Sequence, residues 1–140
     1  GTSVAFDLIG VVREEPIWWA IAHWNIALGL AAAIVAAVTG LSDALAIQGD
    51  PPATRKAIRH LVVVVSAVAC YGAALAVRRG PHPPEGTQLT GVLVLEVLGL
   101  GLLLLGGWLG AELVYGEAEA GAAEAATPSA APADHRPPGR

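Results

Sequence analysis

Asn25, Asp43, His60 and Glu96 are polar side chains standing inside otherwise apolar stretches of this 140-residue chain. Asp43 lies six residues before the break at Gly49–Pro52 and His60 eight residues after it. In an antiparallel helix hairpin those counts bring the two side chains to a similar depth. A carboxylate that accepts from one imidazole nitrogen fixes the tautomer and leaves the other nitrogen free to coordinate. Axial haem histidines are held in this way, and the cores of helix bundles accommodate such groups. His60 with Asp43 is therefore the candidate cofactor-binding pair, with haem b or another tetrapyrrole as the cofactor. The plain alternative is an Asp–His hydrogen bond that staples two helices. Glu96 admits three readings: a protonated carboxyl, a partner of Asn25 near the same end, or an element of a proton relay.

The remaining reactive types carry less. His23 sits ~200° around its helix from Asn25 at ~100° per residue, among Trp18, Trp19 and Trp24. That position suits an interfacial or partner-contacting role. His82 lies between prolines and His135 in the tail, so neither marks a site. Cys70 is alone and mid-span, where a thiol serves as a small packing residue. There is no HExxH, no GxSxG, no phosphate loop and no Cys/His metal spacing. A non-enzymatic protein without catalytic residues or a metal site is expected.

The elements that position these residues are membrane spans. Leu89 to Val114 is apolar except for Glu96 and, near its end, Glu112. At ~1.5 Å per residue it is ~39 Å long, enough to cross a ~30 Å hydrocarbon core with tilt. Ile17 to Ile47 contains no Lys, Arg or Glu, and Ile58 to Val77 is interrupted only by Arg59 and His60. The composition agrees, with 54% hydrophobic and 14% charged residues. Spans are expected over about 17–47, 57–78 and 89–115. The apolar run 3–12 is half a span long, with Arg13-Glu14-Glu15-Pro16 after it instead of a cleavage site. It reads as the end of a first helix that begins upstream. The fold class is all-α: an up-and-down membrane bundle over residues 1–116, three full helices plus a partial one.

Helices in lipid associate through small residues that let backbones approach. Each full span carries such a stripe: Asn25, Gly29, Ala32, Ala36, Thr39 and Asp43; then His60, Val63, Ala67, Cys70 and Ala74; then Glu96, Gly99, Leu103, Gly106 and Gly110. Leu28, Val35, Val38, Leu61, Val65 and Val68 are left for lipid. Ionisable residues on the inward stripes are functional candidates by default.

Residues 117–140 turn to Ala, Pro, Gly and Glu and form an extramembrane tail with too little apolar surface to order itself. Glu117, Glu119 and Glu124 account for most of the net charge of −4. The basic residues are scattered, which excludes a nucleic-acid footprint, and Arg55, Lys56 and Arg59 balance Arg13, Arg78 and Arg79, so orientation is a tie. The expected partners, besides lipid, are other membrane subunits. They would meet the tail 117–140 and the face around His23, Trp19 and Trp24.

Phe6-Asp7-Leu8-Ile9-Gly10, Thr39-Gly40-Leu41-Ser42-Asp43, Arg59-His60 and the run Gly106-Gly107-Trp108-Leu109-Gly110-Ala111-Glu112-Leu113-Val114-Tyr115 resemble a bacterial membrane family catalogued as domain of unknown function 2231. The resemblance covers roughly residues 3–116 and is most specific in the last run. It implies a four-helix domain of the bacterial cytoplasmic membrane, often encoded near respiratory components. The family's first helix opens with a His-Pro…His-Phe-Pro pattern, which the resemblance places upstream of Gly1 and on the membrane side of His60. That is the geometry a bis-histidine tetrapyrrole site needs. The family's basic, His-containing turn after the Tyr is replaced here by Gly116-Glu117-Ala118-Glu119. Two functions remain open: a non-catalytic accessory subunit of a respiratory or photosynthetic electron-transport complex, and a small haem-b-type electron carrier using His60.

Overall fold

The computed structural model describes residues 1–46 and 51–126, with side chains over that range except at 43–46, 51–53, 113–114 and 116–126. Four helices follow one another: α1 (Ser3–Arg13), α2 (Pro16–Ala46), α3 (Pro51–Arg78) and α4 (Thr87–Ala126). Three are long and apolar enough to cross a membrane, over Pro16–Ser42, Thr54–Arg78 and Thr87–Glu112. The all-helical, up-and-down bundle read from the sequence is the observed architecture.

A tight turn joins α1 to α2. Glu14 takes a left-handed conformation (φ 56°) and its N–H donates to the Gly10 carbonyl at 2.9 Å, closing α1. Pro16 then opens α2, where a missing N–H costs nothing. Trp19 folds back over Gly10, so a Cβ at position 10 would stand 2.7 Å from its ring. Phe6 stacks on Trp18 with ring centroids 6.2 Å apart, and the Trp18 indole donates to the Glu15 carboxylate at 3.1 Å.

Packing is closest between α3 and α4, and glycines make it so. A Cβ at Gly99 would lie 2.8 Å from the Tyr71 ring, one at Gly106 3.1 Å from Val64, and one at Gly110 3.1 Å from His60. The pairs 71 with 99 and 60 with 110 fix the two helices as antiparallel. Both small-residue stripes expected here are inward: Ala67 and Ala74 are buried on α3, and Glu96, Gly99 and Gly106 on α4. Val68, assigned to lipid from sequence, is half-buried instead.

The stripe on α2 behaves differently. The first part of α2 packs instead through Trp19, Ala22 and Ile26, which lie on another side of the helix. Gly29, Ala32, Ala36 and Thr39 are exposed, and a Cβ added at Gly29 or Gly40 would meet nothing within 4 Å. Among the described residues α1 runs beside the first part of α2, and no described element covers the rest. At the other end, α4 continues without a break through Gly116 to Ala126. The first part of the expected tail is thus helical, as its Ala and Glu content favours, and residues 127–140 lie outside the described residues.

Candidate functional site

Three ionisable side chains from three helices meet inside the bundle. On α1, Ser3, Asp7 and Gly10 recur at helical spacing and are all buried, forming the face turned to the other helices. Arg78 is the last residue of α3, and its guanidinium folds inward instead of reaching for water. Its Nη2 donates to Asp7 Oδ1, and both side chains have 0% exposure. Glu96 on α4 is likewise fully buried, beside Asp7 and Ser3. Tyr71, seated on Gly99, brings its hydroxyl within electrostatic reach of Glu96, and His23 on α2 lies within reach of the Arg78 charge.

The hydrogen-bonding capacity of this cluster is far from filled. Asp7 Oδ2, both Glu96 oxygens, Ser3 Oγ, the Tyr71 hydroxyl, Arg78 Nε and Nη1, and His23 Nδ1 have no hydrogen-bond partner among the described residues. Each such group in a low-dielectric interior is costly unless it takes a partner, and a charged one most of all. Two carboxyls face one guanidinium here. The arrangement can hold a proton or a small polar species between α1, α3 and α4.

His60 occupies a different place. It lies eleven residues from Tyr71, ~16 Å along α3. Its Nδ1 is 2.9 Å from the Gly106 carbonyl oxygen on α4. A carbonyl only accepts, so Nδ1 carries a hydrogen, and in the neutral ring Nε2 keeps its lone pair. Asp43 is on α2, with its side chain outside the described residues. The partner found for His60 Nδ1 is thus the α4 backbone. Asn25 does not meet Glu96; its Oδ1 accepts from the Thr2 hydroxyl at 3.1 Å. Of the aromatic face proposed for partners, Trp19 is buried against Gly10, while Trp24 remains 60% exposed with the His23 ring edge-on against it.

A tetrapyrrole needs axial ligands at one level and room for its ring. Among the described residues no second imidazole shares the level of His60, and no group of three His, Cys, Asp or Glu side chains is arranged to hold a metal. A cavity of ≈ 390 Å³ beside the α1–α2 turn is lined by Leu8, Ile9, Val12, Arg13 and Trp18. Another of ≈ 110 Å³, reached from Ser3, Asn25, Gly29, Val68 and Tyr71, is well below the ~300–1,000 Å³ of small-molecule sites. Neither borders His60. The described residues alone therefore do not form a haem site.

Of Asp7, Arg78 and Glu96, the sequence marks Glu96 as a candidate, whereas Asp7 enters only within the motif Phe6-Asp7-Leu8-Ile9-Gly10 and Arg78 only as a flanking cation. A signal for Asp7 was present: it is the lone charge in the apolar run 3–12, four residues from Ser3. Arg78 stands beside Arg79 at a span's end, where charge ordinarily faces water. Only the tertiary structure turns it inward.

No curated protein and no solved structure matches the chain. A family model described as predicted membrane protein (DUF2231) matches residues 2–120, which takes in α1, α2, α3 and α4 as far as residue 120. The chain belongs to that family of predicted membrane proteins.

Proposed function

We propose that this protein is a non-catalytic accessory subunit of a larger electron-transport complex, respiratory or photosynthetic, in the bacterial cytoplasmic membrane. The observation that carries the reading is the uncovered stripe of α2. Gly29, Ala32, Ala36 and Thr39 are small, exposed and on one side of the helix. Lipid tails fill the space beside large apolar residues as well as they do beside small ones. A continuous small-residue stripe therefore favours close approach of another helix, either the part of the first helix expected upstream of Gly1 or a helix of another subunit, and the subunit reading takes the second. Thr39 Oγ1 is already satisfied by the Ala36 carbonyl at 3.0 Å, so the stripe offers packing without a polar penalty. The electron-transport setting rests on the family resemblance alone. The tail's outer part, named from sequence as a second contact, lies outside the described residues.

The test is isolation of the tagged full-length protein from membranes in mild detergent. A subunit co-purifies in fixed stoichiometry with integral membrane chains that carry redox cofactors. Recovery as a lone monomer, or with chains that hold no redox group, contradicts the reading.

The tetrapyrrole reading has one supporting observation, the Nδ1 contact of His60 with the Gly106 carbonyl, which leaves Nε2 as a ligand. It requires a second axial group from residues beyond those described. A colourless preparation of the intact protein, free of any haem absorption, ends it.

A further inference from the structure

The buried charges do not balance. Asp7 and Glu96 supply two carboxyls, Arg78 supplies one guanidinium, and all three are withdrawn from water. Arg78 stays protonated under any physiological condition. With both carboxyls ionised the cluster would hold a net negative charge inside the apolar bundle. Uncompensated charge at membrane depth is among the most costly arrangements a protein can hold. Asp7 is neutralised by direct contact with Arg78. Among the described residues Glu96 has no cation of its own, and neither of its oxygens has a hydrogen-bond partner.

We propose that Asp7, Glu96 and Arg78 form a proton-binding site in which a single exchangeable proton, resident on the Glu96 carboxyl, makes the cluster neutral. The proton comes from water and returns to it as Glu96 passes between –COOH and –COO⁻; no other bond changes. The protonated carboxyl presents an O–H toward the side of the cluster where Asp7 Oδ2 and Ser3 Oγ also lack partners. All titratable or charged groups around it on the packed helices enter the balance: Asp7 from α1, His23 from α2, and Cys70, Tyr71 and Arg78 from α3. Because Asp7 and Ser3 ride on α1 while Glu96 is on α4, the proton also joins the short helix to the bundle. This inference is independent of the subunit reading.

Infrared spectroscopy of the intact protein at pH 8 tests it. Exposed carboxyls, with ordinary pKa values near 4, are ionised there. The expected result is a protonated-carboxyl stretch that shifts in deuterium oxide, moves again when glutamate side-chain carboxyls carry ¹³C, and disappears in Glu96→Gln. The isotope arm needs no variant, so it stands even if Glu96→Gln does not fold. Absence of the band, or a band unmoved by labelled glutamate, overturns the assignment. Loss of the band when sodium replaces choline overturns it too, because a metal cation would then be the ligand.

Discussion

Asp7 and Arg78, 71 residues apart in sequence, form an ion pair in which both side chains are fully buried. The pair ties the short α1 to the end of α3 and brings Asp7 beside Glu96 of α4. Its energetic meaning is asymmetric. A buried pair adds little over well-packed apolar residues, but removing one partner leaves an uncompensated charge.

Replacing Arg78 with Gln should therefore destabilise the bundle by about 3–5 kcal/mol. Adding Asp7→Asn should restore a large part of that loss, since the orphaned charge is gone. Thermal unfolding of the intact protein in detergent, run as a double-mutant cycle, measures both. Simply additive losses would show that the two residues do not act as a pair.

Gly99 lies under the Tyr71 ring, and Gly101 faces open space. Gly99→Ala places a Cβ 2.8 Å from a ring carbon, so Tyr71 or α4 must shift, at about 1–3 kcal/mol. Gly101→Ala meets nothing within 4 Å and should cost nothing. Equal unfolding midpoints for the two variants would contradict the α3–α4 register.

The hydrogen bond between His60 and the Gly106 carbonyl crosses two helices. Such bonds in membranes average ~0.6 kcal/mol, with ~1.7 kcal/mol at most. His60→Phe keeps the ring and removes the donor, so a loss of that modest size is expected. A collapse of the fold would show that His60 carries more than this one contact. If the intact protein holds a haem through His60, the same substitution removes its visible absorption.

The sequence made much of this architecture legible because length and apolarity decide it. Spans are expected at 17–47, 57–78 and 89–115, and the helices run Pro16–Ala46, Pro51–Arg78 and Thr87–Ala126, so α3 starts six residues earlier and α4 runs eleven residues further. The α3–α4 seam was readable from Ala67, Ala74, Gly99, Gly106 and Gly110, since small residues at helical spacing mark contact in lipid. The α2 stripe was readable too, but spacing says only that a face is suited to packing, never which helix covers it. The buried cluster was half legible. Glu96 announced itself as a charge inside a span, whereas Arg78 looks like an ordinary end-of-span cation. Whether a long side chain at that position turns inward depends on a partner 71 residues away, and no local pattern encodes that.

The subunit reading rests on the uncovered stripe of α2, and photocrosslinking in native membranes shows what covers it. A photoreactive residue at Ala36 lies on the stripe. One at Val38 lies ~180° around the helix from Gly29, and Val38 is similarly exposed. The account predicts a covalent adduct from position 36 to another protein chain, identified by mass spectrometry, and none from position 38. Adducts from position 36 confined to lipid or to this same chain would contradict it.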